Sequence, residues 1–266
     1  VEWSGGGGFG HYAWLLADGI TRSGTPAVLL TRRGHELEVL GGRHSVERCW
    51  RRPPRGLSGR LRRAVVAGQW VAGWLRVTGW VVRARARGPV VLHVQAPDRF
   101  GEIPFLAIAR LAGARLLVTA HNPLPHDSGR FREAAQRLVL RLPDGCVVHT
   151  GEAAAECVAL GMPAGRILVV PHGSYAPIAA GLPAAPRRPD GRIRLVNLGM
   201  LRPYKGLDVV GAVAAGATAG HADLDVRLAG RTGDPDGVLA CMAGVPADRL
   251  SLRLGYLPLE DLLDEL

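Results

Sequence analysis

Lysine is nearly absent from this chain: among 33 basic side chains only Lys205 is a lysine, and arginine supplies the rest. Acidic residues are fewer, 23 against those 33, which leaves a formal charge of +10 and a pI near 10.6. That imbalance implies anionic company: nucleic acid, acidic lipid or a phosphorylated substrate. Aromatic residues make up only 5% of the chain. A surface that stacks single-stranded bases needs more of them, so no nucleic-acid partner is expected. Cysteine is scarce too. Cys49, Cys146, Cys157 and Cys241 are widely spaced with no C-x-x-C pair, which argues against a disulfide framework and for buried thiols of a reducing compartment. The chain opens on Val1-Glu2-Trp3-Ser4 without a charged-then-apolar leader and stops inside a helical pattern, 259–266, without a cap. A fragment of a longer protein is expected.

What is present is a globular composition. With 266 residues, 47% of them hydrophobic, the chain can bury one large or two modest cores. Short apolar runs at 27–31, 90–94, 115–119, 146–149, 167–171, 193–198, 225–229 and 251–254 predict strands. Helix-period stretches at 11–23, 103–111, 130–142, 152–160, 207–219 and 238–243 alternate with them. Continuous rather than alternating apolar runs, separated by helices, predict an α/β protein with doubly wound parallel sheets covered on both faces. The rhythm breaks at 174–192, an aperiodic stretch that turns basic and proline-rich and reads as a linker. Two nucleotide-binding-type units would lie in tandem around it.

Several segments could carry chemistry. Gly5-Gly6-Gly7-Gly8-Phe9-Gly10 opens a predicted helix and formally satisfies G-x-G-x-x-G, with Arg32 and Arg33 placed for a 2′-phosphate. A plain strand-to-helix turn explains the glycines equally well. Strand 115–119 runs into Ala120-His121-Asn122-Pro123-Leu124-Pro125-His126-Asp127, a polar cluster at a strand's carboxyl end, where open α/β sheets bind ligands. The five-residue spacing of His121 and His126 is irregular for zinc, and no metal ligands are assigned. No G-x-S-x-G nucleophile elbow occurs. Val169-Val170-Pro171-His172-Gly173-Ser174 ends another strand. Lys205 and Arg202 sit between a strand and a helix, where backbone N–H groups and two cations would seat a phosphate; the alternative is a solvated surface lysine. Finally, 60–87 places Trp70, Trp74 and Trp80 among seven arginines. Gln69 and Arg76 interrupt its apolar run and argue against a membrane span. It reads either as a helix docked on a membrane surface through its tryptophans or as a core-facing helix with solvated arginines.

Taken together and in order, these segments resemble a GT-B glycosyltransferase of the retaining group often called family 4, over nearly the whole chain. The matching parts are Gly5–Gly10 with its helix, Gly34-His35-Glu36 after the second strand, Thr119 to His126, Val147 to Glu152, and Ile167 to Gly173. The last is Asn197-Leu198-Gly199 to Lys205-Gly206-Leu207, like the G-x-(I/L)-R-x-Y-K-G element that opens the donor domain. The resemblance implies two Rossmann-like domains, the C-terminal one incomplete: 1–173 on the acceptor side, 174–192 as linker, and 193–266 as the start of the nucleotide-sugar donor domain. It implies a hexosyltransferase without a cofactor. Its co-substrate would be a nucleotide-sugar and its acceptor a glycan or lipid-linked molecule. Its place would be the cytoplasm, peripheral on the inner face of the cell membrane, with an anionic membrane surface as a further partner in polysaccharide or glycolipid assembly. Arg202 and Lys205 would grip the diphosphate and stabilise its growing charge. His121 would orient the transferred sugar. Gly7, Gly8, Gly10, Asn122, His126, His172 and Gly173 would line the substrates, and Glu152 would aid helix capping. The family's acidic E-x7-E motif would lie beyond Leu266 and most of the first strand is lacking, so a poor enzyme is expected from this piece. Two alternatives stand beside this reading: an NADP-dependent Rossmann reductase, and a non-catalytic GT-B remnant that binds carbohydrate or lipid.

Overall fold

The structure, a computed structural model, describes residues 1–51, 56–97, 100–124, 130–180, 193–220, 224–259 and 261. The chain divides into two units, Val1–Ala179 and Ala180–Leu266.

In the first unit β1 (Val28–Arg32) pairs in parallel with β2 (Ser45–Trp50). A four-stranded parallel sheet follows in the order β3 (Val91–Gln95), β4 (Arg115–Thr119), β5 (Gly145–Val148) and β6 (Ile167–Val169). The segment Val1–Glu2 joins the two sheets. Glu2 N donates to Leu30 O and Gln95 N donates to Val1 O, both at 3.0 Å. Strand succession therefore runs outward in both directions from Val1–Glu2, which is a doubly wound layout with its switch point there. Leu92, Val94, Leu116, Val118, Cys146 and Val148 are buried. Between them Val91 is exposed and His93 and Leu117 are half-buried, so one face of β3 and β4 is packed more tightly than the other. β2 was not anticipated. It lies at an edge and exposes Ser45, Glu47 and Arg48, so only Cys49 and Trp50 carry a core signal.

The helices of this unit are α1 (Gly7–Arg22), α2 (Gly59–Arg85), α3 (Ile103–Leu111), α4 (Arg130–Val139), α5 (Gly151–Ala159) and the short α6 (Ala176–Ala180). α1 buries Gly10, Ala13, Trp14 and Ala17, a stripe at helical spacing. It starts at Gly7 rather than His11, so half of the glycine loop is its first turn. α5 is capped by Thr150, whose Oγ1 accepts from Ala153 N at 3.1 Å. Glu152 is exposed beside it and is not the cap. α6 occupies the front of the stretch expected to be a linker, because Ile178 finds a buried place; residues 181–192 lie outside the described ones.

The tryptophan face of α2 belongs to the core. Trp74 is 1% exposed and stacks on Phe105 at 5.8 Å between centroids, while Val77 and Val81 extend the stripe. Trp50 Nε1 donates to Trp70 O at 3.2 Å. The approach is close enough that a Cβ on Gly73 would fall 1.8 Å from Trp50 Nε1. Trp74 is thereby unavailable for docking on lipid, whereas Trp70 is only partly buried and also lines a hollow. Elsewhere α2 is exposed, with Arg60, Leu61, Arg62 and Arg63 in its first turn and Val71, Leu75, Val82 and Arg83 further along. No described helix is long and apolar enough to cross a membrane.

The second unit is a parallel sheet of β7 (Ile193–Leu198), β8 (Leu224–Gly230) and β9 (Leu250–Leu254) in that order. α7 (Leu207–Gly220) and α8 (Pro235–Cys241) pack around a core of Leu201, Leu207, Ala214, Val226, Leu228, Val238 and Met242. Gly211 allows the helices to touch, since a Cβ there would sit 1.9 Å from Cys241 O.

Candidate active site

The glycine loop is held by carboxylates. Gly5 and Gly7 take positive φ of 68° and 66°, a region where a Cβ is penalised. Glu2 is buried, and its carboxylate accepts from Ser4 N at 2.6 Å and Gly5 N at 2.8 Å. At the start of α1, Glu36 Oε2 accepts from Gly7 N at 3.1 Å and from His11 Nε2 at 2.8 Å. Burial would raise the Glu36 carboxyl, but His11 and the Gly7 amide outweigh it and hold it below the usual range. His35 locks the same corner: its Nε2 donates to Gly10 O, its Nδ1 accepts from Leu37 N, and burial keeps it neutral. A Cβ on Gly10 would sit 3.3 Å from both Gly5 C and His35 Nε2, whereas Gly7 and Gly8 have open space around them. A pyrophosphate at this helix end would meet Glu36 where it needs free N–H groups, so the geometry counts against the NADP reading.

Three strand ends next to this loop carry histidine: His121 after β4, His149 after β5 and His172 after β6. Their ring centroids lie 5.0 Å (His121–His149), 5.0 Å (His149–His172) and 6.4 Å (His121–His172) apart. Tyr12 of α1 packs on all three, at 4.7, 5.1 and 5.1 Å, and Phe9 stands 4.7 Å from His121. Tyr175 closes the group: its Oη lies 3.4 Å from Gly8 O and 3.4 Å from His172 Nε2. Burial, and then His149 and His172, push the His121 imidazole down to about 4. His121 is therefore neutral near neutral pH and presents a lone pair rather than charge. Asn122 and Gly173 are exposed beside their histidines. His126 and Asp127 lie outside the described residues. Sequence reading passed over His149, Tyr12, Phe9 and Tyr175 as site residues. His149 ends a parallel strand just as His121 and His172 do, and that was the available signal.

A separate hollow of about 490 Å³ in the same unit is lined by Trp3, Arg32, Trp50, Arg51, Arg62 and Arg63, among others. Its mix of indole and guanidinium suits an amphiphile with an anionic head.

In the second unit β7 leads through Gly199 to a 3-10 turn, Pro203–Lys205, that enters α7 by way of Gly206 in the left-handed region at φ 68°. Lys205 and Tyr204 are exposed, and the Arg202 guanidinium lies 5.9 Å from the centre of the Tyr204 ring. Gly199, Gly230 and Gly255 end the three strands, each at positive φ, and Gly255 N donates to Gly230 O at 2.8 Å. A Cβ on Gly230 would fall 1.5 Å from Gly199 O. Gly230 and Gly255 were not among the anticipated site residues, although a glycine directly after an apolar strand marks such a position.

Parallel sheets whose strand carboxyl ends carry glycine turns and ring clusters, with helices between them, place the molecule among GT-B-type α/β proteins. Residues 7–173 match the Glycosyl transferase 4-like domain, and the chain belongs to that family. Among solved structures it is similar to HepE from Anabaena in complex with UDP-glucose, with a TM-score of 0.58 and 13% identity, covering 98% of this chain and 70% of that one. A putative UDP-N-acetylglucosamine 2-epimerase from Listeria monocytogenes gives a TM-score of 0.61 and 13% identity over 99% of this chain and 70% of that one. UDP-GlcNAc 2-epimerase from Neisseria meningitidis, bound to UDP-GlcNAc, gives 0.55 and 8% over 98% and 73%. At such identities the likeness is one of fold. No curated protein matches.

Proposed function

We propose that this chain is a sugar-nucleotide-dependent hexosyltransferase of the retaining, family 4 kind, acting on a glycan or lipid-linked acceptor in polysaccharide or glycolipid assembly. The observation that carries the reading is the convergence of the α1 glycine loop, Tyr12 and three strand-end histidines inside the segment that matches the family. Arg202 and Lys205 take the donor diphosphate. As the glycosidic bond breaks, negative charge grows on that leaving group, and fixed cations beside a helix N-terminus favour the transition state over the ground state. His121, neutral and held by Gln95 Oε1 at 3.1 Å, orients sugar hydroxyls rather than donating charge. Gly7, Gly8, Asn122 and Gly173 leave the space a bulky ligand requires. The arginine- and tryptophan-lined hollow is assigned to the anionic head of the acceptor.

Calorimetry of the full chain with UDP, GDP and their sugars tests this reading, followed by an assay for acceptor-dependent release of nucleoside diphosphate and the anomeric form of the product. Binding of one diphosphate with release on acceptor addition is expected. Failure to bind any of them would sink the reading. Conversion of the donor without acceptor would mark an epimerase-type activity, and binding without turnover a non-catalytic remnant. His121→Ala should lower the transfer rate more than the melting temperature.

We place the protein at the cytoplasmic face of the membrane through the exposed first turn of α2. Attraction there is about 1 kcal/mol per basic residue near an anionic surface. Replacing Arg60, Arg62 and Arg63 together should abolish sedimentation with anionic vesicles. Equal pelleting with neutral vesicles would remove the membrane from the proposal.

A further inference from the structure

We propose that His121, His149 and His172 form a binding site for one divalent transition-metal ion, zinc or a close equivalent. The site is built by topology. Parallel strands β4, β5 and β6 lie side by side in register, so the residues just past their carboxyl ends arrive together although 28 and 23 positions separate them along the chain (149 − 121 and 172 − 149). One ring nitrogen from each histidine lies within 4.8 Å of the others.

The hydrogen bonds around the trio have the form that metal-binding imidazoles need. An imidazole ligand donates through one nitrogen to a carbonyl or carboxylate, which fixes the tautomer and leaves the other lone pair for the ion. Here His121 Nε2 faces Gln95 Oε1 at 3.1 Å, His149 Nδ1 faces Val170 O at 2.9 Å, and His172 Nδ1 faces Gly173 O at 2.8 Å. All three acceptors are carbonyl oxygens. His121 Nδ1, His149 Nε2 and His172 Nε2 are the remaining ring nitrogens, and His172 Nε2 has the Tyr175 hydroxyl 3.4 Å away, a long contact that an ion would displace. Of these, His149 Nε2 is buried and has no hydrogen-bond partner, a cost that an ion would remove.

The spacing also fits. A tetrahedral ion bound at about 2.1 Å holds its nitrogens about 3.4 Å apart and the imidazole centroids about 5 Å apart. Two of the centroid distances are already 5.0 Å, and the third, 6.4 Å, involves His172, the most exposed of the three. Closing the nitrogens to ligand distance asks for movement of about 1.4 Å at most, within reach of side-chain rotation at an exposed residue. Neutral imidazoles favour zinc, copper, nickel or iron over magnesium or calcium. Three protein ligands leave a fourth position for an oxygen: water, a sugar hydroxyl or a phosphoryl group.

This proposal shares His121 with the transferase reading, since a bound ion would take its free nitrogen and offer the sugar hydroxyl the open coordination position instead, but its first readout is ion binding and needs no transfer activity. A tag-free, chelator-stripped full chain should bind one Co²⁺ with the visible absorption of a tetrahedral complex, and Zn²⁺ should displace it. His149→Ala and His172→Ala should each weaken binding at least about tenfold. X-ray absorption of the Zn²⁺-loaded wild-type chain should show imidazole nitrogen without sulfur, a measurement that needs no variant. Absence of saturable Co²⁺ binding overturns the proposal. So does unchanged affinity in a chain carrying both His149→Ala and His172→Ala, or a sulfur shell that would place the ion on the cysteines.

Discussion

Two turns in this molecule share one sequence grammar and differ in electrostatics. Gly5–Gly10 runs into α1 and Gly199–Gly206 runs into α7. Both use glycine at positive φ, and both put backbone N–H groups at a helix start. In the first, Glu2 and Glu36 have taken the amides of Ser4, Gly5 and Gly7. In the second, Arg202 and Lys205 flank the turn and Lys205 is exposed. A glycine-rich turn before a helix can seat an anion on its amides only where those are free, and in the second turn too Gly199, Leu201, Lys205 and Gly206 N donate to backbone carbonyls, so what distinguishes it is its two cations. The side chains at the turn decide which kind it is.

The contrast can be broken at its steepest point by Gly230→Ala. The new Cβ would collide with Gly199 O at a backbone angle of +152°, so the second unit should lose about 3 kcal/mol or more. Thermal unfolding reads this directly. A wild-type melting temperature would show that the Gly199 turn is not held by that contact. Lys205→Ala sharpens the comparison from the functional side. A hydrogen bond to a charged group is worth about 1.5–3 kcal/mol, so UDP or GDP binding should weaken roughly ten- to a hundredfold. Arg202→Lys should also be harmful, because the planar fork is lost. Unchanged affinity in both would leave the turn a solvated surface feature.

The smallest effect belongs to the first turn. Glu36→Gln keeps the shape and removes the charge at the α1 N-terminus, which should cost about 1–2 kcal/mol near neutral pH. Its pH dependence has a definite sign. The folded-state carboxyl is held below its ordinary value, so its stabilisation is complete above the unfolded value of about 4.3 and is lost as pH falls through the lower folded one. Denaturant unfolding of both forms should differ at neutral pH and converge in acid. A difference that persists there would mean that shape, not charge, matters at this cap.

How far the sequence could be read depended on apolar pattern. Strands β1, β3, β4, β5 and β8 were visible as apolar runs and each buries two or more residues, while β6, β7 and β9 were visible as apolar runs although half-buried or exposed. β2 was invisible because an edge strand needs only two buried residues, Cys49 and Trp50. α2 was legible as a helix but not as to its use. Trp70 and Trp74 on one face fit lipid and core alike, and only the presence of Trp50 and Phe105 opposite them decided for the core at Trp74. His121 and His172 were picked out by their strand ends. His149 was not, since nothing in its neighbours distinguishes it until β5 is seen between β4 and β6.

By itself the sequence determined the α/β class, the parallel sheets and the places where strands end, because hydrophobic periodicity and glycine placement are local properties of the chain. Tertiary structure alone decided that Glu36 occupies the α1 terminus and that three histidines far apart in sequence form one cluster. Those facts depend on which strands lie next to one another. In a parallel sheet that order is set by crossover connections tens of residues long, beyond the reach of any local pattern.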